Sequence, residues 1–492
     1  MSSLSRRIAI ALAATCLAGS AYAQDIGGTV GGIVGGIGGA LSGPVGDAIN
    51  VVSDSPVGNT VGGVMGGPAG GGFGGLGSSP ISGTIGTLSS TTAWKPDNGA
   101  WLQNLLGLDP ELTRPTLDSL GPSEIVERLD APSLAAIRKL RLEALVSDYP
   151  RILDIDGAEN PVRRGELIGI NPDAASLAAA RAAGFTFLRA ETNSDLGMTI
   201  VTLATPKGQS TRAAMKQLRK IAPRMTVEYD HVYEPAGGAL APSRVLRAAR
   251  GGPTSGIRIA MIDGAVASHP SFASARIEQR AFAGPPQATG HGTAVASLLV
   301  GNQGPFHGAA RGATLFVADV YGGNRSAGSA SAIVKALAWA ASKHPQVINI
   351  SLVGPQNALL QQAIASIVAR GIPVVAAVGN DGPAAPPQYP ASYPNVIAVT
   401  GVDASSRALP EAGRAKDLDF AAPGADMIAA LPGRDYIKVR GTSFAAPLAA
   451  ARVALAGSAQ ELALEARPGK GRVGRGIVCG DCRISPKLAR AK

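Results

Sequence analysis

Gly441-Thr442-Ser443-Phe444-Ala445-Ala446-Pro447 is the stretch on which the reading of this chain turns. A serine between a Gly-Thr turn and a run of small residues (Ala445, Ala446, Ala449, Ala450, Ala451) reads as a hydroxyl in the first turn of a helix. Pro447 suits such a place because first-turn N–H groups have no intrahelical partners. Those N–H groups, with the positive helix end, would stabilise negative charge developing beside the serine. Alone, a Gly-Thr-Ser is more often an ordinary N-cap. What lies upstream decides between the two.

From Gly256 onward apolar strands and helices alternate: 257–262, 293–300, 314–320, 329–342, 347–351, 358–370, 374–378, 396–402, then the helix after Ser443. This order predicts an α/β unit over 256–456, a mostly parallel sheet flanked by helices. Ligand chemistry in such sheets gathers at the carboxyl ends of the strands. Asp263 follows the apolar run Ile257–Ile262 at one such end. Gly290-His291-Gly292-Thr293 places an imidazole at the opening of an apolar helix. Ala377-Val378-Gly379-Asn380 puts an amide at another strand exit. Taken singly they read as a turn residue, a capped surface histidine and a turn former. The other four histidines, 231, 269, 307 and 344, lie in structural or exposed contexts and offer no better base.

In the order Asp, His, Asn, Ser, with these flanks, the segment 256–456 resembles the subtilisin-like (subtilase) serine peptidases, whose triad runs in that order. The resemblance implies Ser443 as nucleophile, His291 as general base and then acid, and Asp263 as the group that orients and stabilises the imidazole. It implies an oxyanion hole made by the Asn380 side chain and the Ser443 N–H. Gly328-Ser329 and Ser351-Leu352-Val353-Gly354 resemble the family's substrate-binding segments, which pair with an extended peptide as an added strand. Val353 and Gln388 stand where the family often has glycine. Their bulk predicts a preference for small residues, such as alanine, just before the scissile bond. Departures elsewhere (Gly264-Ala265 after the aspartate, Ala294 after His-Gly-Thr, Leu448 after the proline) leave the triad untouched. No acidic loop resembles the family's calcium sites, so neither a metal nor a cofactor is expected.

Upstream, 163–234 reads as β-α-β-β-α-β, a small split βαβ (ferredoxin-like) α+β domain. Asn171-Pro172 opens its first helix and Ser210 caps its second. Subtilases are often preceded by a domain of this topology that assists folding and fills the cleft until cleaved. By this resemblance 161–235 is a propeptide-like domain and a partner of the catalytic unit. Residues 236–255 then form a processing linker, with the cut expected between Pro235 and Gly252.

The remaining segments bound the setting. At 492 residues the chain is long enough for several domains. Residues 1–23 have the charged start (Arg6, Arg7), short apolar run and Ala-Tyr-Ala end of a secretory signal, too short to span a bilayer. The chain is therefore expected to be secreted, to the periplasm or beyond, with no transmembrane span. Residues 24–92 form a Gly-rich low-complexity arm, with 23 glycines between 27 and 86. Helical patterns occupy 93–160. The net charge of +10 is concentrated from Arg467 onward, where eight Lys and Arg face only Asp481. This 457–492 tail reads as a solvated basic arm with a Cys479-Gly-Asp-Cys482 pair that suits a disulfide or free thiols. No basic-aromatic interleaving accompanies it, so no nucleic-acid partner is expected. Three functions compete: an exported endopeptidase made as a zymogen and acting on protein or peptide substrates, a catalytically silent subtilase-shaped binding or surface-attachment protein, and a hydrolase of esters or small amides on the same acyl-transfer machinery.

Overall fold

The computed structural model describes residues 131–236, 238–243, 256–433 and 435–486. The signal-like segment, the Gly-rich arm and the helical patterns before residue 131 lie outside the described residues.

The carboxy-terminal unit is built on a seven-stranded, all-parallel sheet. From one edge to the other its strands are Phe420–Pro423, Ile397–Val402, Val374–Ala377, Val347–Ile350, Arg258–Asp263, Thr314–Asp319 and Arg276–Ala281. Alternate residues of each strand serve opposite faces, as a two-residue period requires. Ile259, Met261, Leu315 and Val317 join helices Gly290–Val300 and Thr442–Ala456 in one buried layer. Ala260, Ile262, Phe316 and Ala318 join helices Ala330–Ser342 and Ala358–Ala369 in the other. Covering both faces explains why these strands read as unbroken apolar runs. Strand order reverses around Arg258–Asp263, and a crevice at the carboxyl ends opens at that reversal.

The amino-terminal unit has the expected order of elements. Strands Pro161–Ile170, Thr186–Asn193, Met198–Ala204 and Thr226–His231 form an antiparallel sheet backed by helices Ala174–Ala182 and Thr211–Ile221. A fifth strand, Leu153–Ile155, pairs with its first, so residues expected to belong to a helical segment extend the sheet instead. The helix Ala131–Asp148 precedes it. Among the described residues no helix is long and apolar enough to cross a membrane.

Three local readings differ. The first helix is capped by Asp173, whose side chain accepts from Ser176 N at 2.7 Å, and not by Asn171. Asn171 has a left-handed φ of 46°, and its Oδ1 accepts from Thr199 N, so its side chain is committed across to a strand. Pro447 lies in the second turn of its helix and not the first, since that helix begins at Thr442. The carbonyl that its missing N–H leaves open, that of Ser443, accepts the Ser351 hydroxyl at 3.0 Å. The basic tail is no free arm up to residue 486. Ile477 bridges Ala421 of the edge strand, with Ala421 N donating to Gly476 O and Val478 N to Ala421 O. Val478 and Ile484 are buried, and Cys479 and Cys482 form a disulfide. The tail thus covers an otherwise open sheet edge.

A buried ion pair anchors the strand that leads into the serine helix. Arg440 donates to both carboxylate oxygens of Glu411, at 2.7 and 2.9 Å, and both residues are buried. Removing one partner strands the other charge in a poorly solvated site. Glu411→Ala is expected to lower stability by about 3–5 kcal/mol in urea unfolding, well beyond an exposed-pair loss.

Candidate active site

Three elements carry one side chain each to the same crevice. Asp263 ends its strand at 0% exposure and is held locally, Oδ1 accepting from Gly264 N at 2.7 Å. His291 lies in the first turn of Gly290–Val300, a helix capped by Thr289, whose Oγ1 accepts from Gly292 N. Glycine is required at two positions here. A Cβ on Gly264 would fall 2.3 Å from Thr289 Oγ1, and one on Gly292 would fall 2.3 Å from Gly264 O. Backbone against backbone, the helix therefore comes close enough for His291 Nδ1 to reach Asp263 Oδ1 at 2.9 Å. The other ring nitrogen, Nε2, lies 2.9 Å from Ser443 Oγ. Ser443 is buried in the first turn of Thr442–Ala456, where Gly441, at φ 139°, turns the chain into the helix.

The amide of Asn380 is oriented by its neighbours. Its Oδ1 accepts from Thr442 N at 2.9 Å, which aims Nδ2 into the crevice, and Thr442 Oγ1 in turn accepts from Gly379 N at 3.1 Å. Two donors then converge on one acceptor: Asn380 Nδ2 and Ser443 N, the latter at 3.0 Å, both donate to the carbonyl oxygen of Ala236. An oxygen placed between a first-turn N–H and a side-chain amide beside a serine hydroxyl occupies the geometry of an oxyanion hole.

Ala236 ends a segment threaded through the crevice as an extra strand. Glu234–Pro235 pairs antiparallel with Leu352–Val353, and Val232 bridges Ser329 on the other side. Ala236 N donates to Ser351 O at 3.0 Å and Tyr233 N to Gly328 O at 2.8 Å. Gly354 pairs with Tyr389 through both backbone groups and leaves room for the Tyr233 ring, which a Cβ there would meet at 2.5 Å. Tyr233 is fully buried, its hydroxyl donating to Pro355 O. Val353 and Gln388 converge beside Gly379, where a Cβ would lie 3.4 and 3.2 Å from their side chains. Every residue expected to bind substrate, Gly328, Ser329, Ser351, Leu352, Val353, Gly354 and Gln388, therefore lies on or beside the chain's own residues 232–236. Carboxylates of the amino-terminal unit also meet helix starts of the catalytic unit: Asp230 accepts from Ser331 N and Oγ, at 2.9 and 2.8 Å.

Burial raises the Glu234 carboxyl, but Arg141 and Arg325 beside it outweigh that effect and hold it below its ordinary range. Burial raises the Tyr321 phenol, and Asp263 nearby adds to the shift. Sequence reasoning missed Ala236, Thr289 and Thr442. A small residue before Gly237, inside the anticipated processing window, was the available signal for the first. The two threonines carried none beyond their place close to His291 and Ser443.

A serine hydroxyl within reach of an imidazole–carboxylate pair, beside two converging N–H donors on a doubly wound parallel sheet, is an arrangement that serine hydrolases use. The sequence model of the subtilase family matches residues 254–467. Over 212 residues the chain is 36% identical to Subtilisin Savinase of Lederbergia lenta, covering 42% of this chain and 78% of that one. Over 261 residues it is 32% identical to Subtilisin E of Bacillus subtilis, covering 49% and 67%. Fervidolysin from Fervidobacterium pennivorans, a keratinolytic enzyme related to subtilisin, shares the fold, with a TM-score of 0.52 at 18% identity over 67% of this chain and 61% of that one. The chain belongs to the subtilase family, and it is a serine endopeptidase of the subtilase type.

Proposed function

We propose that the chain is an exported zymogen that cuts itself between Ala236 and Gly237, and that residues before the cut form an inhibitory leader. The observation that carries this reading is the Ala236 carbonyl, whose oxygen takes hydrogen bonds from both Ser443 N and Asn380 Nδ2. In the reaction, Ser443 Oγ attacks the carbonyl carbon while His291 Nε2 takes the hydroxyl proton. Asp263 keeps the Nδ1–H tautomer and stabilises the imidazolium. Negative charge that develops on the carbonyl oxygen is met by donors already in place, and losing one typically costs about 10²–10³ in turnover, a figure measured on a subtilisin. The imidazolium protonates the leaving amine of Gly237, and water then releases the acyl-enzyme by the same steps reversed. The signal-like residues 1–23 support export.

By this reading the residues before the cut report what substrates the site takes: Tyr233-Glu234-Pro235-Ala236. Alanine fits because Ala236 is 2% exposed, and the bulk of Val353 and Gln388, which close on Gly379 next to Asn380, would oppose a larger side chain. Ala236→Phe is expected to slow self-cleavage by about 10–200-fold, the range that small misfits in an apolar pocket produce. Adding Val353→Gly and Gln388→Gly should restore much of that loss. The decisive measurement is the amino terminus of the mature enzyme with peptide-library profiling. A terminus at Gly237 and a preference for alanine before the bond support the reading. A terminus elsewhere, or a strong preference for Phe or Tyr there, rejects it.

A further inference from the structure

The leader touches the catalytic unit at a second place, beside the threaded strand. Helix Ala131–Asp148 presents Leu134, Arg138 and Arg141 on one face, as positions i, i+4 and i+7 must lie. Leu134 packs over Gly382, where an added Cβ would come within 2.8 Å of the leucine's own. Arg138 Nε lies 3.3 Å from Asp381 Oδ2, and Arg141 Nη2 lies 3.0 Å from Asp381 Oδ1. Arg141 also reaches Glu234 Oε2 with its Nε, at 3.1 Å, and so ties the helix to the threaded strand. The adjoining face of the helix binds the leader itself, Leu145 packing with Leu153 and Val232. One helix therefore straddles both units.

The charges at this contact are withdrawn from water. The Asp381 and Glu234 side chains are 5% and 10% exposed, those of Arg138 and Arg141 14% and 28%. Pairs this protected couple more strongly than surface pairs, and a departing helix would leave Asp381 without its two guanidinium partners. Nothing in the acyl-transfer chemistry uses Asp381, Gly382 or the helix.

We propose that the surface at Asp381 and Gly382 is a second docking site on the catalytic unit, bordering the substrate cleft, for the helix Ala131–Asp148. Through it the leader stays seated after the cut, so cleavage at Ala236 alone does not release activity. Activation then requires loss of the helix or of its ion pairs. This inference rests on the self-cleavage reading, and the test separates the two.

The test compares the full chain with its Arg138→Ala/Arg141→Ala and Arg325→Ala variants. Intact mass reports the cut, size-exclusion chromatography reports leader retention, and hydrolysis of Tyr-Glu-Pro-Ala p-nitroanilide reports free enzyme. Self-cleavage also proves that each variant has folded. The expected result is cleavage after Ala236 in all three. The wild-type leader co-elutes with a latent enzyme, and the double variant sheds its leader with activity up by about tenfold or more. Arg325 pairs with Glu234 from an exposed position, so Arg325→Ala should shift activity by no more than about twofold. If all are cut and the double variant stays as latent as wild type, the docking site is refuted. It is equally refuted if Arg325→Ala releases the leader as fully as the double variant does. If none is cut, the self-cleavage reading falls, and this proposal falls with it.

Discussion

A Ser443→Ala chain is expected to remain uncut across Ala236–Gly237 and to lose turnover by roughly 10⁶-fold, the size of loss measured for the equivalent serine in a subtilisin. The substitution removes one hydroxyl whose partner is His291 Nε2 at 2.9 Å. It leaves the Ser443 N–H that donates to Ala236 O and the carbonyl that accepts from Ser351. The binding frame therefore survives while the nucleophile does not. Intact mass should show one chain still carrying its leader, whereas wild type resolves into two fragments. Fold and leader contacts should persist, because the lost hydroxyl hydrogen bond is worth only about 1 kcal/mol. A Ser443→Ala chain cut at the same bond in a purified preparation would show that another nucleophile or another enzyme does the work.

Which residues are readable beforehand depends on how far each is governed by its neighbours in sequence. Asp263, His291, Asn380 and Ser443 each carry a local signature: a strand exit, or a helix opening flanked by glycine. Gly292 lies against the backbone of Gly264, and Gly264 against the side chain of Thr289, and those close approaches print themselves on the motif. Caps and proline positions are less readable. Asp173 and Asn171 compete within three residues, and a strand contact to Thr199 decides between them. Pro447 is tolerated through the hydroxyl of Ser351, 92 residues from the carbonyl it meets, which no local pattern announces. The tail reads as solvated from its charge and glycine, yet Ile477 and Val478 find the open edge at Ala421. The partners of Ala236 and of Arg138 and Arg141 are unreadable for the same reason. They lie far along the chain and are chosen by the docking of one folded unit on another.

The second large effect concerns the charge of Asp263. Its Oδ1 accepts two hydrogen bonds, from Gly264 N at 2.7 Å and His291 Nδ1 at 2.9 Å. Its Oδ2 is buried with no hydrogen-bond partner among the described residues. The position after the aspartate is glycine, which has no hydroxyl to offer, and Thr289 fills the space a side chain would need. In the proposed mechanism the field of this carboxylate falls on the imidazolium that forms when the imidazole takes the serine proton. Asp263→Asn has two ways to settle. With its carbonyl oxygen kept on Gly264 N and His291 Nδ1, the tautomer survives and only the charge is lost. With the amide turned, an NH₂ meets Nδ1, forces the proton onto Nε2, and leaves Ser443 without a base. The first outcome weakens general-base catalysis and the second removes it, and kcat is expected to fall by up to about 10⁴-fold, the loss seen for this substitution in another serine protease, where the wrong tautomer forms. KM should change little, because the residues proposed to hold the peptide, 328–329 and 351–354, are not those that hydrogen-bond Asp263. Steady-state kinetics on a leader-free preparation check this. A kcat within tenfold of wild type would mean that the negative charge at Asp263 is not used in the chemical step.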